Sequence, residues 1–119
     1  MSKLRCYYAH CMSIYNTPQE QRDLEELNKL GFEVVNPNHP GSEEGYQQTG
    51  MDYFLDMITD CNVLVFRSLI TQEIPAGITK EIAHAQYRGL PIFELPTRVD
   101  QRKLDVEQTR EYLREVGQR

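Results

Sequence analysis

The sequence CNVLVFRSLITQEIPAGITKEIAHAQYRGLPIFEL, from Cys61 to Leu95, determines the fold class of the chain. A short apolar run at its start and another at its end flank a helical stretch. Gly89 is well placed to terminate the helix, because glycine takes the left-handed cap conformation at no steric cost. The pattern predicts a strand-helix-strand unit, which normally closes as a right-handed parallel crossover.

One carboxylate of this helix lies where a buried side chain is expected. Ile78, Ile82 and Ala85 are spaced i, i+4 and i+7 and mark the buried stripe. Glu81 lies at i+3 of the same stripe, where an unpaired charge would be costly. It is therefore either a functional carboxylate that faces a cavity or an edge residue that pairs with a nearby basic side chain.

The composition indicates one ordinary globular domain. The chain has 119 residues, enough to bury a core without disulfides or metals. Charged residues make up 26% and hydrophobic residues 39%. A formal net charge of -5 disfavours binding to a nucleic-acid polymer, whose partners usually carry a basic face. It does not disfavour a nucleotide site, which needs only a few local donors.

The cysteines and the hydropathy pattern predict a cytoplasmic protein without a membrane partner. No apolar run is long enough to cross a membrane, and the N-terminus does not resemble a signal peptide. Cys6, Cys11 and Cys61 form an odd set without CxxC spacing, which indicates reduced thiols. Cys6 and Cys61 fall at the starts of predicted strands, where we expect small core residues.

The rest of the chain alternates strands and helices. The predicted elements are a strand over Leu4 to Ala9, a helix from Pro18 to Leu30 begun by a Thr17/Glu20 capping box, a strand over Phe32 to Asn36, a long loop from Pro37 to Gly50, a helix over Gln48 to Thr59, the strand-helix-strand unit, a polar segment from Thr97 to Lys103 and a helix over Leu104 to Val116. A long loop of this kind is often a lid or a binding loop.

Four strands in such alternation predict an α/β fold with a small doubly wound, flavodoxin-like parallel sheet, in the order 2-1-3-4, with helices on both faces. Ligands of these sheets bind beyond the carboxyl ends of the strands, at the switch point between strands one and three. The residues delivered there are Tyr8 to Ser13 after strand one, Asn36 to His39 after strand two, Arg67 onward after strand three, and the helix entry from Pro75 to Thr79. The predicted substrate-binding residues among them are Tyr8, His10, Cys11, Met12, Arg67, Gly77 and Thr79.

The entry to the helix after strand three is a candidate anion site. In Pro75 to Thr79 the free amides and the helix dipole favour an anion, and Gly77 permits close approach of a phosphate. The alternative is a plain helix start after a turn. His10, His39 and His84 come from different elements and lack ligand spacing, so we expect neither a metal site nor a cofactor.

Asp52 and Asp56 lie on one stripe of the preceding helix. Asp56 is expected on a solvated face, whereas Asp52 borders the apolar stripe that contains Met51 and Phe54. The spacing therefore does not assign Asp52 to the solvated face as it does Asp56.

Three passages resemble one known family. They are YYAHCM from Tyr7 to Met12, the helix and strand from Met51 to Val65, and AGITKEIAHA with the following GLPI, from Ala76 to Ile92. In this order they resemble the nucleoside 2-deoxyribosyltransferase superfamily, which includes the deoxynucleoside 5′-monophosphate N-glycosidases. The resemblance covers roughly Lys3 to Leu95, and its last passage is the most specific.

The resemblance implies a site that cleaves the N-glycosidic bond of a nucleoside or nucleotide. Glu81 matches the family's nucleophilic carboxylate. Asp52 matches an aspartate that positions the sugar and manages the proton of the leaving base. Tyr7 matches an aromatic residue that contacts substrate and orients the carboxylate, and the region near Gly77 matches the phosphate or 5′-hydroxyl site. The resemblance also implies a homodimer or a higher homo-oligomer.

The chain departs from the family pattern at several points. His10 stands where the family usually has a small residue, often glycine, and the loop from Arg67 to Pro75 is longer than usual. Thr79 or Thr71 would have to replace the serine or threonine that helps to hold the phosphate. The fifth strand typical of the fold is not recognisable after Pro96.

The implied chemistry agrees with the residue pattern. Glycosidic cleavage passes through an oxocarbenium-like state that a carboxylate stabilises or captures, while a second acidic group handles the proton of the base. Water as acceptor gives hydrolysis and a second base gives transfer; both stay open. Lys80 and Arg67 near the candidate anion site favour a nucleotide hydrolase. The alternatives are a nucleotide sensor without turnover and an interaction domain, which leaves Glu81 unexplained.

Overall fold

The computed structural model describes residues 3–96 and 103–117. Strands and helices alternate along these residues, with a short 3-10 turn after the first strand. The elements are β1 (Arg5–Ala9), the 3-10 turn (Met12–Ile14), α1 (Pro18–Lys29), β2 (Glu33–Val35), α2 (Ser42–Thr49), α3 (Asp52–Thr59), β3 (Val63–Phe66), α4 (Ala76–Tyr87), β4 (Ile92–Glu94) and α5 (Val106–Glu115).

The four strands form one parallel sheet in the order β2-β1-β3-β4. This confirms the predicted α/β fold and its strand order. Tyr7 of β1 lies beside Val35 of β2 and Leu64 of β3, and Leu64 lies beside Ile92 of β4. Because the chain leaves β1 and β3 toward opposite edges of the sheet, the switch point lies between the carboxyl ends of these two strands.

Each face of the sheet carries its own core, because successive side chains of a strand point to opposite faces. Tyr7 and Ala9 of β1 pack with side chains of α3 and α4, whereas Cys6 and Tyr8 pack with α1. The buried residues of the first core are Tyr7, Ala9, Ile58, Cys61, Leu64, Phe66, Ile78 and Ala85; those of the second are Cys6, Tyr8, Leu27, Val63, Val65 and Leu95. The core positions predicted for Cys6 and Cys61 are confirmed.

The start of α1 follows the prediction only in part. Thr17 Oγ1 accepts a hydrogen bond from the amide of Glu20 at 3.4 Å, and Pro18 is the first helical residue. The prediction of a reciprocal capping box was wrong, because the Glu20 carboxylate bonds elsewhere. One oxygen accepts from the Asn16 amide at 3.0 Å, and the other lies 2.7 Å from Nε2 of His10.

The prediction of a continuous loop from Pro37 to Gly50 was also wrong, because this segment contains α2. Gly41, with φ of +90°, precedes this helix, and Gly50, with φ of +66°, ends it. The helix predicted from Gln48 therefore begins later, at Asp52. The sequence SEEGYQQT of α2 has no apolar stripe, so periodicity could not identify it.

A glycine allows α2 to pack closely against α3. A Cβ atom at Gly45 would lie 2.3 Å from the ring of Tyr53. The Tyr53 hydroxyl in turn lies 2.9 Å from Nε2 of His39, in the loop that precedes α2. Tyr53 thus holds α2 and the loop before it against α3.

The ends of the last two helices agree well with the prediction. Gly89 has φ of +76° and follows α4 directly after its C-cap residue. α5 starts two residues later than predicted, where Asp105 and Gln108 form a complete capping box. The polar segment predicted over Thr97 to Lys103 lies, apart from Lys103, outside the described residues. None of the helices in residues 3–96 and 103–117 is long and apolar enough to cross a membrane.

Candidate active site

A cleft of about 180 Å³ lies at the carboxyl end of β1, between α3 and the start of α4. We call it the Glu81 cleft. Its position beyond the strand ends is where ligands of doubly wound sheets bind. Its lining residues are His10, Cys11, Met12, Tyr15, Met51, Phe54, Pro75, Gly77, Ile78 and Glu81.

Glu81 brings a carboxylate to this cleft from the buried side of α4. Its side chain is held among apolar neighbours, because Ile78 and Ala85 of the same stripe belong to the core, and only 6% of Glu81 is exposed. The hydroxyl of Tyr7, itself fully buried, donates a hydrogen bond to Oε2 of Glu81. The alternative of an edge residue paired with a base is therefore wrong, since the partner of Glu81 is a phenol.

Burial changes the acidity of both members of this pair. Burial raises the pKa of Glu81 from 4.5 to about 7. The hydrogen bond from Tyr7 acts in the opposite direction but is the smaller effect. Burial and the Glu81 carboxylate together raise the pKa of Tyr7 far above its usual value, so Tyr7 stays protonated and donates. Near neutral pH, Glu81 therefore exists in both its neutral and its ionised form.

Asp52, the second predicted carboxylate, lies outside this arrangement. It is the first residue of α3, is exposed, and is not among the described residues that line the cleft. Its neighbours Met51 and Phe54 do line the cleft, so α3 contributes an apolar wall. Glu81 is the only carboxylate among the described lining residues.

The loop after β1 supplies three of the predicted binding residues. His10, Cys11 and Met12 all line the Glu81 cleft, and Met12 is 77% exposed. Tyr8 does not join them. It is fully buried on the α1 face of the sheet, because it alternates with Tyr7 along β1. The prediction that both tyrosines belong to one site was wrong for Tyr8. Successive side chains of a strand point to opposite faces, so Tyr7 and Tyr8 lie on opposite sides of the sheet.

His10 forms a rigid wall of the cleft. Its ring stacks on Tyr8 with centroids 3.8 Å apart, Nδ1 lies 2.9 Å from the carbonyl oxygen of Tyr8, and Nε2 lies 2.7 Å from Oε2 of Glu20. A carbonyl oxygen only accepts, so Nδ1 carries a proton, and a further proton lies between Nε2 and Glu20. Both ring nitrogens are therefore engaged, and the His10 side chain is fully buried beneath the cleft wall.

Glu20 and Asn38 complete this network. Asn38 belongs to the segment predicted at this edge of the sheet, whereas Glu20 was predicted only as part of a capping box. Burial disfavours ionisation of Glu20, yet hydrogen bonds from His10, Asn38 and the Asn16 amide hold the pKa of its carboxyl below the usual value. Burial lowers the pKa of His10, and its hydrogen bonds to Glu20 and Tyr8 oppose that shift. Asn38 Nδ2 lies 3.0 Å from Oε2 of Glu20 and so ties the loop after β2 to the wall of the cleft.

Arg67, predicted near the anion site, forms an ion pair with the carboxylate of Asp23. Its Nε and Nη2 donate to the two oxygens of Asp23 at 2.6 and 2.7 Å. Asp23 also accepts from the Tyr8 hydroxyl at 2.5 Å and from Gln19 Nε2 at 2.8 Å. The guanidinium thus joins β3 to α1 and does not line the Glu81 cleft.

Arg67 lies instead in an adjoining groove of about 400 Å³. The groove shares Cys11 with the cleft and lies against α1 and the loop after β3. Its lining residues are Cys11, Ser13, Ile14, Gln19, Arg67, Ser68, Leu69, Ile70 and Thr71.

The start of α4 contributes backbone to the Glu81 cleft. Pro75 is its N-cap residue, whose side chain cannot accept a hydrogen bond, and Gly77 and Ile78 line the cleft beside it. Thr79 is exposed, is not among the lining residues, and its hydroxyl donates to the carbonyl of Pro75 at 3.2 Å. Of the two residues predicted here, only Gly77 faces the cleft.

Within the described ranges, no group of three His, Cys, Asp or Glu side chains could hold a metal ion. A scan against protein-family models finds none that matches the chain, and a search of curated proteins finds no match.

Proposed function

We propose that the chain cleaves the N-glycosidic bond of a nucleoside or a nucleoside 5′-monophosphate, with Glu81 as the nucleophile. The observation that carries this proposal is the buried Glu81 carboxylate at the wall of a cleft beyond β1, held by the hydroxyl of Tyr7. Glycosidic cleavage passes through an oxocarbenium-like state, and a carboxylate fixed beside C1′ stabilises or captures its developing positive charge.

The reaction proposed at Glu81 forms one bond and breaks another. An oxygen of the ionised carboxylate bonds to C1′ of the sugar, and the bond between C1′ and the base nitrogen breaks, leaving its electron pair on the base. Water then attacks C1′ of the ester and releases Glu81; a second base in place of water gives transfer. Because the pKa of Glu81 is about 7, the nucleophilic form predominates above that pH.

Tyr7 is proposed to position this carboxylate. Its hydroxyl bonds to Oε2 of Glu81, which leaves Oε1 as the oxygen that faces C1′. Asp52, carried over from the family resemblance, is proposed to pass a proton from water to the departing base, from its position beside the lining residue Met51.

The dimensions of the cleft suggest how a nucleotide would lie. Ligand pockets usually measure roughly 300–1,000 Å³. A cleft of about 180 Å³ is therefore proposed to hold the reacting sugar, with the rest of the substrate outside it. A 5′-phosphate would meet the amides at the start of α4, near Gly77, while Arg67 stays bound to Asp23.

One observation favours the alternative, a nucleotide sensor without turnover. Asp52 is exposed and absent from the described lining of the cleft, so the carboxylates of Glu81 and Asp52 do not share it. Paired carboxylates that cleave glycosidic bonds lie about 5–9 Å apart, one on each side of the scissile bond. A site with Glu81 alone would bind a nucleotide and release it unchanged.

The test is release of free base from a panel of nucleosides and 5′-monophosphates, in ribo and deoxy forms, with and without an acceptor base. We expect the wild type to release base and Glu81→Gln to do so slower by on the order of a thousandfold or more, because the amide cannot attack C1′. Glu33→Gln is the matched control and should retain full activity. It removes an exposed carboxylate at the start of β2, at the opposite end of the strands from the cleft.

Two outcomes would contradict the proposal. Equal release by wild type and Glu81→Gln would place the chemistry elsewhere. No release from any member of the panel, together with saturable binding of a nucleotide in calorimetry, would establish the sensor instead.

A further inference from the structure

The α1 face of the sheet is covered over only part of its width. Tyr8, Val65 and Phe93 lie side by side in register across β1, β3 and β4, so their side chains share this face. Tyr8 and Val65 are buried, whereas Phe93 is 57% exposed. Within the described residues, the layer on this face therefore stops short of β4.

The uncovered part is an apolar groove of about 370 Å³, which we call the Phe93 groove. Leu30, at the end of α1, is 66% exposed beside it. Two carboxylates, Glu26 of α1 and Glu94 of β4, stand among its lining residues. These are Glu26, Leu27, Leu30, Phe32, Val65, Phe93, Glu94, Leu95 and Pro96.

The chain also carries a helix whose apolar side is not buried. Only Thr109 and Leu113 of α5 are even partly covered, and Val106, Tyr112 and Val116 are all about half exposed or more. At 100° per residue these five side chains lie within one sector of about 120°, which is the stripe that a docked helix buries. The helix therefore has a docking face without a partner in the described part of the chain.

One charge of α5 matches those of the groove. Arg110 borders the apolar stripe beside Val106, whereas Glu107, Glu111 and Arg114 lie on the opposite side of the helix. A helix seated in the Phe93 groove by its stripe would bring Arg110 toward the carboxylates of the groove and keep Glu107 and Glu111 in water.

α5 does not occupy the groove of its own chain. Phe93 and Leu30 in the groove, and Val106 and Tyr112 on the stripe, are all more than half exposed. Seating α5 in the groove of its own chain would require the helix to leave its position. Seating it in the groove of a second chain uses the helix as it stands.

We propose that α5 of one chain docks in the Phe93 groove of a second copy of this chain, and that the two copies exchange helices about a two-fold axis. Each chain then offers one helix and one groove, so both grooves are filled and the assembly closes as a dimer. The interface lies on the face of the sheet opposite the Glu81 cleft.

The first test compares two double alanine variants of α5. The oligomeric state of the full chain is measured by sedimentation over a range of concentrations. Leu113→Ala with Val116→Ala removes the centre of the stripe, and Glu111→Ala with Glu115→Ala is the matched control on the polar side. We expect a wild-type dimer whose dissociation constant rises at least about a hundredfold in the stripe variant, because apolar contacts are lost, and little in the control. A monomeric wild type, or a dimer unaffected by the stripe variant, would overturn the proposal.

The second test separates exchange between chains from docking within one. In a Cys11→Ser background, one chain carries Leu113→Cys and a second, differently tagged chain carries Phe93→Cys. Exchange predicts that mixing and mild oxidation join the two chains by a disulfide. A chain carrying both changes that forms the bond only within itself would show that α5 closes on its own groove, which would contradict the exchange.

Discussion

Asp23→Asn is expected to lower the free energy of unfolding by about 3–5 kcal/mol, the usual cost of breaking a buried ion pair. Tyr8, Gln19 and the two guanidinium nitrogens of Arg67 all donate to this carboxylate. An asparagine would accept at one oxygen only, and its NH₂ group would face two of these donors. Arg67, which is only 8% exposed, would keep a charge without a counterion.

Thermal unfolding measures this effect. A domain of this size changes its Tm by about 4 °C per kcal/mol, so a fall of more than about 10 °C is expected. Glu33→Gln is the matched control, because it removes one carboxylate from the exposed Arg5–Glu33 pair, whose closest atoms are 3.9 Å apart. Exposed pairs contribute about 0–1 kcal/mol. Equal losses for the two variants would show that the Asp23 cluster is open to water.

Glu81→Gln is expected to stabilise the protein at alkaline pH and to do so much less at acidic pH. Burial raises the pKa of Glu81 from 4.5 to about 7 in the folded chain, so between these pH values the folded state binds the proton more tightly. The free energy of unfolding therefore falls as pH rises through this window, and the ionised carboxylate costs about 3 kcal/mol above pH 7. Glutamine is neutral at every pH and still accepts from Tyr7.

The measurement is the stability difference between Glu81→Gln and wild type at pH 4 and at pH 8.5, by denaturant unfolding. Taking this difference removes the pH dependence of the other groups, and Glu33→Gln shows the effect of one fewer surface carboxylate. We expect the advantage of Glu81→Gln to grow by about 3 kcal/mol between the two pH values. An advantage that stays constant would mean that Glu81 ionises as freely in the folded chain as in water.

The sheet could be predicted from the sequence because its signals are local. The apolar runs around Val63 and Ile92, the stripe on α4 and the terminating Gly89 together specify the parallel unit. The position of Glu81 on that stripe also marked the candidate site before any geometry was known. The short helix α2 could not be found in this way, because SEEGYQQT has no apolar period and glycine lies within it.

The partners of charged residues could not be predicted, because they depend on distances across the fold. Arg67 was expected at an anion site, but it lies beside Asp23, 44 residues away along the chain. Asp23 lies on α1, one residue before Leu24, and no local pattern shows that it faces the end of β3. One signal was available for Tyr8: residues adjacent in a strand face opposite sides, so Tyr7 and Tyr8 cannot serve one cleft.

Trapping the covalent ester tests Glu81 as the nucleophile most directly. A nucleoside with fluorine at C2′ and a good leaving base is the suitable probe, because fluorine disfavours the oxocarbenium-like state and slows breakdown of the ester. We predict that the wild-type mass rises by one fluorinated pentosyl group, that fragmentation places this group on Glu81, and that Glu81→Gln stays unlabelled. Base release without any label, or a label on Asp52 or another side chain, would contradict a glutamate nucleophile at position 81.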